Sequence, residues 1–311
     1  MTELDFEFSC KIDVAATIHS EPFECEVKEP DQTLVVKLVS TLAGKTTFDV
    51  VLKLRLSVPT SEDSNLGDWK RQLEQNGFAY WFAGNKPAPP LYPMRLIYDS
   101  FRRVAWKVAL ATEQAPFAMA YDGKNPNDVI RDVVVKADGQ EFPLKPNPDG
   151  PRHTFQLGKG LRPLGPGVLK AAVEAPWQGF ESWAVRADME WTRKEDGYVF
   201  LNLATMLETT GYRALRDRLH REPSDTEDFS PTLYLGAKNV LKKQPSFERL
   251  DKKGYLACRE LWGARHEFVH RGRIQIRTGG SRNGKLRSVT GEDLQAFRSG
   301  ALGAAGWMVT P

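Results

Sequence analysis

One segment near the end of the chain carries most of the side chains that could do chemistry. It spans residues 264–271 and reads ARHEFVHR. Two of its side chains, His266 and His270, are imidazoles, which titrate near neutral pH and can accept or donate a proton in the cell. Arg265 adds a permanently charged guanidinium whose donors match phosphate or carboxylate oxygens. The segment therefore indicates either proton transfer beside an anion or coordination of a metal.

Metal coordination would make the chain a zinc metalloprotease. In His-Glu-x-x-His, here His266, Glu267 and His270, the histidines hold zinc and the glutamate is the general base. A catalytic zinc also needs a third protein ligand and an open position. No histidine follows His270, and the acidic candidates Glu292 and Asp293 lie beyond an arginine-rich stretch whose charge opposes a dication. The metalloprotease remains an alternative, and we expect no metal or other cofactor.

Proton transfer beside an anion describes the cleavage of RNA without metal. RNA carries a 2′-hydroxyl next to each phosphodiester, so internal attack on phosphorus needs only proton transfer and a cation near the developing charge. We assign catalysis to Arg265, His270 and His266. Arg265 meets the phosphorane oxygens, His270 acts as base or acid, and His266 positions phosphate or makes the second proton transfer. The expected products are a 2′,3′-cyclic phosphate and a 5′-hydroxyl, and DNA should be inert.

A single helix must present these side chains. Apolar residues at helical spacing predict that it runs from about Lys252 to Arg271 and stops at Gly272. On a helical wheel, His266 and His270 fall about 140° and 180° from the core residue Leu261, so both should point away from the core. Each histidine should therefore be open to a ligand.

The two charged neighbours of the histidines each have an alternative role. Arg265 lies only about 40° from the core stripe on the same wheel. A structural ion pair with a carboxylate of another helix, such as Glu208, is therefore an alternative to catalysis. Glu267 would be the base of the protease, but under the nuclease interpretation we expect only a charge on the helix face.

A basic tract follows the helix directly. Residues 271–287 hold six basic residues and no acidic one, and residues 176–311 carry a net charge of +5 against −2 for residues 1–175. Such a tract could bind a phosphate backbone, or it could be a solvated hairpin with charged rims. The candidate RNA-binding residues are Arg271, Arg273, Arg277, Arg282, Lys285 and Arg287.

The rest of the C-terminal part is predicted to be helical. A helix starts near Glu181, and another amphipathic stretch is expected to be interrupted at Gly211. A short helix should follow Ser230, and a last one should begin near Glu292. The second stretch is marked by Tyr198, Val199, Leu203, Met206 and Leu207. Residues 176–311 thus form an all-α bundle with a basic hairpin before its last helix.

The first part of the chain is predicted to be rich in β-strands. Its first sixty residues alternate apolar and polar side chains, which is typical of half-buried antiparallel strands. A second hairpin is expected at Asp138-Gly139. Two groups at helical spacing predict helices between these strands: Leu66, Trp69 and Leu73, and then Ile97, Phe101, Val104 and Val108. The fold class is therefore α+β.

A loop-rich segment separates the two parts. Six prolines and five glycines lie between residues 143 and 167, and we place the domain boundary near residue 175. Residues 1–175 form the β-rich domain with two helices, and residues 176–311 form the helical domain.

Composition sets broad limits on the class of protein. The 311 residues are 41% hydrophobic and 27% charged, which is typical of globular proteins and argues against disordered, collagen-like or coiled-coil chains. The acidic first residues predict no signal peptide, and no run approaches the length of a membrane span. Three cysteines without metal-ligand spacing favour a reducing compartment. We expect a cytoplasmic protein with no membrane partner.

Residues 255–272 resemble the signature helix of HEPN domains, small helical bundles found in toxins, antiviral effectors and ribonucleases. Arg265, His266, His270 and, one position late, Gly272 match the HEPN motif. Residues 206–208, MLE, resemble the apolar residue followed by glutamate in the first long helix of the Apea-like branch of this family. The resemblance covers about residues 180–311. It implies an endoribonuclease that acts as a toxin or in abortive antiviral infection, with the N-terminal domain sensing an unknown activator or phage-derived trigger or restraining the nuclease.

A second apolar stripe on the signature helix indicates a partner. Tyr255, Trp262 and Val269 recur every seven residues and are too large to leave comfortably in water. A twofold copy presenting the same helix would cover them and bring two copies of Arg265 and His270 together, as the resemblance implies for a composite cleft. The N-terminal domain could cover the stripe instead. A non-catalytic HEPN module that binds nucleotide or RNA, or serves for dimerisation, is the other alternative.

Overall fold

The structure is a computed structural model. The chain divides into two compact units, Met1–Pro176 and Trp177–Pro311. The division falls next to the boundary expected near residue 175. Within the described residues the architecture is mixed α+β, as the sequence predicted. The residues described are 2–18, 20–29, 32–42, 44–58, 93–122, 124, 126–137, 140–144, 164, 167–219, 235, 245–280 and 283–310.

The first unit is built on an antiparallel sheet. In its described part the sheet has six strands in the order β2-β3-β4-β1-β5-β6. The pairing confirms antiparallel strands in the first sixty residues and on both sides of Asp138-Gly139, while the predicted turn itself lies outside the described residues. The strands are β1 (Thr2–Val14), β2 (Glu24–Glu29), β3 (Gln32–Leu42), β4 (Lys45–Val58), β5 (Ile130–Ala137) and β6 (Gln140–Leu144).

Helices cover the apolar face of this sheet. Alternation along the strands puts Phe8, Phe48 and Leu52 on the buried face. The ring of Phe48 lies 5.1 Å from that of Phe101 and 6.3 Å from that of Phe117, measured between centroids. The helices are α1 (Pro93–Thr112), α2 (Ala115–Tyr121), α3 (Pro126–Val129) and α4 (Val168–Glu174).

The periodicity of residues 97–108 therefore predicted α1 correctly, and all four of its marker residues are buried. The other expected helix of this unit, with Leu66, Trp69 and Leu73, lies outside the described residues. No helix in the described part of the chain is both long and apolar enough to cross a bilayer.

The second unit is a helical bundle with one small hairpin. Strands β7 (Gln275–Arg277) and β8 (Leu286–Ser288) pair antiparallel, and a 3-10 turn, Thr278–Gly280, follows β7. As predicted, this hairpin precedes the last helix. The helices are α5 (Glu181–Thr192), α6 (Asp196–Leu219), α7 (Phe247–Leu250), α8 (Lys252–Arg271) and α9 (Gly291–Val309).

One helix boundary was predicted wrongly. The sequence suggested an interruption at Gly211, but α6 continues through it to Leu219. A glycine inside a helix costs about 1 kcal/mol relative to alanine. Its neighbours Leu207, Thr210 and Leu215 are all buried, so packing of the helix outweighs that cost. The short helix predicted after Ser230 lies outside the described residues, apart from the buried Leu235.

A close contact at small residues and an ion pair between helices stabilise the packing around α8. A Cβ atom on Gly300 of α9 would lie 2.8 Å from the carbonyl oxygen of Gly254 in α8, so these helices pack backbone against backbone. Arg298 of α9 donates from Nε and Nη2 to the two carboxylate oxygens of Asp188 in α5, at 2.6 and 2.9 Å. These contacts join α8 to α9 and α9 to α5, so the position of α8 in the bundle is fixed.

Candidate functional site on helix α8

Local signals set both ends of α8. The side chain of Asp251 accepts a hydrogen bond from the backbone N–H of Gly254 at 2.9 Å, which caps the first turn. Gly272 has a φ of 63°, a left-handed conformation that ends the helix. The observed bounds, Lys252–Arg271, are those that the sequence predicted. Buried residues of its core face include Ala257, Leu261 and Ala264.

The two histidines lie on the outer face of α8, as the helical wheel predicted. Both are exposed. Their ring centroids are 4.5 Å apart and the ring planes are tilted by 47°. Partial desolvation of His266, together with the positive charges of His270 and Arg271, lowers the pKa of its imidazole. His266 is therefore mainly neutral at pH 7, with a lone pair that can accept a proton.

Arg265 sits between a carboxylate and an aromatic ring. Its Nη2 lies 3.7 Å from Oε1 of Glu208 in α6. Its guanidinium carbon lies 5.1 Å from the centroid of the Trp262 ring, close enough for a cation–π contact. The ion pair that the sequence offered as an alternative is thus present. A distance of 3.7 Å exceeds a normal hydrogen bond, so Glu208 orients the guanidinium without occupying one of its hydrogens.

The environment of Glu267 was predicted wrongly. The sequence suggested a charge on the helix face, but the residue is only 1% exposed. Its Oε1 accepts from Nη1 of Arg271 at 2.6 Å and from Nε of Arg277 at 3.0 Å. Burial raises the pKa of Glu267, but these hydrogen bonds outweigh it and the pKa lies below its usual value. The sequence does contain a signal for this burial. Glu267 follows Ala264 of the core stripe by three residues, and residues three apart lie on the same side of a helix.

Two further carboxylates dock the basic hairpin, and the sequence analysis missed this function for both. Glu260 of α8 accepts a hydrogen bond from the backbone N–H of Gly279 at 2.6 Å. Asp293 of α9 accepts from both Nη atoms of Arg287, at 2.6 and 2.7 Å, and also caps the helix with Thr290. The hydrogen bonds from Arg287 lower the pKa of Asp293 to about 2. The hairpin is therefore a fixed part of the bundle.

The predicted RNA-binding residues fall into two groups. Arg271, Arg277 and Arg287 make ion pairs with Glu267 or Asp293, so part of their charge is offset. Arg273 and Lys285 are exposed. Arg282 lies outside the described residues. The hairpin is thus less positive at its base, where it joins the helices, than its sequence indicates.

The apolar stripe on α8 is partly exposed. Val269 is 47% exposed, and Tyr255 and Trp262 are half-buried. Leu256, which the sequence analysis did not include, is 38% exposed on the neighbouring side of the helix. A Cβ atom built on Gly263 of the same face would meet no atom within 4 Å. The outer face of α8 therefore combines imidazoles with apolar surface.

Two carboxylates of the zinc alternative are engaged elsewhere. Glu267 is hydrogen-bonded to two arginines, and Asp293 is bound by Arg287. Among the residues that the structure describes, no group of three histidine, cysteine, aspartate or glutamate side chains could hold a metal ion.

Comparisons with known proteins assign no family. No family model matches the chain, and neither does any curated protein or any solved structure. The side chains on α8 and on the hairpin therefore carry the functional proposal.

Proposed function

We propose that the chain is a metal-independent endoribonuclease of the HEPN type, with Arg265, His266 and His270 as its catalytic residues. The observation that carries this proposal is the outer face of α8. Two exposed imidazoles lie 4.5 Å apart there, and an oriented guanidinium is on the same segment. Proton transfer at neutral pH and a fixed cation are what internal cleavage of RNA requires.

In the proposed reaction, the 2′-oxygen of a ribose forms a bond to phosphorus while the bond from phosphorus to the 5′-oxygen breaks. A neutral imidazole takes the proton of the 2′-hydroxyl, and a protonated imidazole gives a proton to the leaving 5′-oxygen. The sequence suggested phosphate positioning or the second transfer for His266, but its lowered pKa suits it to the first transfer, and His270 then makes the second. Arg265 balances the charge on the phosphorane oxygens.

The surroundings of Arg265 support a ligand-binding role over a purely structural one. Within the described residues, its buried Nε has no hydrogen-bond partner. A buried donor without an acceptor is uncommon in folded proteins. The side chain as a whole is 26% exposed, so a phosphate oxygen can approach the outer part of the guanidinium while Glu208 and Trp262 keep it in place.

We further propose that two copies of the chain pair through the outer face of α8, with Tyr255, Trp262 and Val269 at the seam. The 47% exposure of Val269 supports a partner there. Exposed Arg273 and Lys285 would hold the RNA backbone. By resemblance to HEPN effectors, the cellular role would be that of a toxin or of abortive antiviral defence in the cytoplasm, with the sheet unit receiving the trigger.

The test uses labelled RNA and the full chain. We expect cleavage that survives EDTA and is lost in Arg265→Ala and in His266→Ala. Arg193→Ala is a matched control, because Arg193 is an exposed arginine of the same unit that pairs with Glu190, and it should cleave as the wild type does. Thermal unfolding of each variant separates lost chemistry from lost fold.

Three results would contradict the proposal. Cleavage that EDTA abolishes would place a metal in the reaction. Peptide hydrolysis lost in Glu267→Gln, with stoichiometric zinc, would support the metalloprotease. RNA binding without cleavage would support a non-catalytic module.

A further inference from the structure

We propose that His266 and His270 also form a binding site for a borderline divalent cation such as Ni²⁺, Cu²⁺ or Zn²⁺, and that the bound ion inhibits the enzyme. The binding follows from the geometry of the two rings. The inhibition rests on the proposed ribonuclease function, because the ion occupies the two imidazoles assigned to proton transfer.

The spacing of the rings fits a shared ion. With a metal–nitrogen bond of about 2.0–2.1 Å, an ion bound to both rings lies about 3.2 Å from each ring centroid. Centroids 4.5 Å apart then subtend about 90° at the ion when each ring turns a nitrogen toward it. That is the angle between neighbouring ligands in the square-planar and octahedral complexes of Cu²⁺ and Ni²⁺.

Carboxylates offset two of the arginine charges that the sequence places near the histidines, while Arg273 remains exposed. Arg265 lies 3.7 Å from the carboxylate of Glu208. Arg271 donates to the buried carboxylate of Glu267 at 2.6 Å. Each of these two cations beside the histidines therefore has a carboxylate partner that offsets its charge.

The same contacts separate this site from a metalloprotease centre. Glu267 lies between the two histidines in sequence, but its Oε1 is bound to two arginines on the inner side of the helix. The ion would therefore have two protein ligands per chain and water at its other positions. The two histidines can bind an ion, but Glu267 is not placed to act as a catalytic base beside it.

Inhibition follows from the chemistry of a bound imidazole. A nitrogen whose lone pair is shared with a metal cannot take up a proton. Both steps of the proposed cleavage would stop together. Mg²⁺ and Ca²⁺ prefer oxygen ligands, so they should neither bind this pair nor inhibit.

Binding is measured first, and without reference to cleavage. Untagged, EDTA-stripped full-length protein is titrated with Ni²⁺ by isothermal calorimetry and by equilibrium dialysis. We expect about one ion per chain, as one imidazole pair supplies one site. Loss of either histidine should weaken Ni²⁺ binding by at least roughly tenfold, because removing even a residue that only hydrogen-bonds to a metal ligand has an effect of that size. His266→Ala and His270→Ala provide that loss, and His153→Ala, which removes a histidine far from α8 in the sequence, is the control.

Inhibition is then measured on the same preparations. RNA cleavage by the wild type should fall as Ni²⁺ or Zn²⁺ is added over the range in which the ion binds, return with EDTA, and be unaffected by Mg²⁺. His153→Ala should follow the wild type in both assays.

Each outcome bears on one proposal or the other. Ni²⁺ binding no stronger in the wild type than in the two variants overturns the metal site, and EDTA-resistant cleavage would then leave the ribonuclease standing. Site-specific binding that leaves cleavage unchanged overturns the inhibition. Cleavage that requires the ion overturns both proposals. Site-specific binding without cleavage under any condition supports the metal site and contradicts the ribonuclease.

Discussion

The sheet unit and the helical unit use their charged residues differently. On the polar face of the sheet, carboxylates pair with cations of neighbouring strands: Glu7 lies 3.7 Å from both Lys53 and Lys136, and Asp13 lies 2.7 Å from Lys45. In the helical unit, the carboxylates Glu260, Glu267 and Asp293 accept hydrogen bonds from the hairpin residues Gly279, Arg277 and Arg287.

The difference determines which charged and titratable side chains remain exposed in each unit. Pairing on the sheet places opposite charges side by side across the strands. In the helical unit the paired carboxylates lie beneath the hairpin, whereas His266, His270 and Arg273 remain on the exposed side. Ion pairs thus lie across the surface of the sheet unit. In the helical unit they lie beneath the hairpin and leave the face with His266, His270 and Arg273 exposed.

The largest expected effect is on activity. His270→Ala should reduce RNA cleavage by about 10²- to 10⁴-fold, the usual contribution of a positioned acid or base. Lys53→Ala, on the sheet, should leave cleavage within about twofold, because one exposed ion pair contributes little. Single-turnover rates on labelled RNA measure both. Equal losses in the two variants would remove the distinction between the units.

Next in size is the contact between α8 and α9. Gly300→Val should destabilise the protein by about 3 kcal/mol, because overpacking at this contact forces two backbones apart. A Cβ atom there would lie 2.8 Å from the oxygen of Gly254. Denaturant unfolding measures the change in the free energy of unfolding.

Gly303→Ala on the same helix is its control. Its Cβ atom would meet only the ring of Phe247, at 3.5 Å, and alanine favours a helix over glycine by about 1 kcal/mol. This variant should be slightly more stable than the wild type. Similar destabilisation by both changes would contradict the close packing of α8 on α9.

Removing the charge of Glu267 should loosen the hairpin. In Glu267→Gln the guanidinium groups of Arg271 and Arg277 lose their buried carboxylate partner, at a cost of about 1–3 kcal/mol. Hydrogen exchange at the amides of Thr278 and Gly279 should become faster. Glu141→Gln on the sheet, whose carboxylate pairs with Lys136 at the surface, should change stability by less than about 1 kcal/mol.

The smallest effect concerns pH. Asp293 has its pKa lowered to about 2 from the usual 3.8, so its ion pair with Arg287 stabilises the fold above about pH 4 and is lost as the pH falls toward 2. Asp293→Asn should therefore be less stable than the wild type at pH 6, and this difference should shrink on acidification. Glu292→Gln, an exposed carboxylate in the same turn, is the control. Melting temperatures of the wild type and the variants, measured from about pH 2 to about pH 6, test this prediction. A difference that stays constant over this range would contradict it.

Local signals explain what could be predicted from the sequence. The stop at Gly272 and the spacing of buried residues are local to α8, so its bounds and the outward direction of His266 and His270 followed from them. The alternation of β1 to β4 is local in the same way.

Tertiary contacts explain the errors. The burial of Glu267 depends on Arg277, ten residues away on a strand that must first fold back onto α8. The continuation of α6 through Gly211 depends on buried neighbours that outweigh a local propensity. The contact of Arg265 with Glu208 joins two helices, and the sequence offered it only as one of two alternatives.

The chemical nature of the cleaved ends tests the central proposal most directly. RNA of defined sequence is incubated with the wild type in EDTA, and the products are identified by mass spectrometry. The proposed mechanism predicts 2′,3′-cyclic phosphate and 5′-hydroxyl ends, and no cleavage where the 2′-oxygen is methylated. Products with 3′-hydroxyl and 5′-phosphate ends, or cleavage at a methylated position, would contradict it.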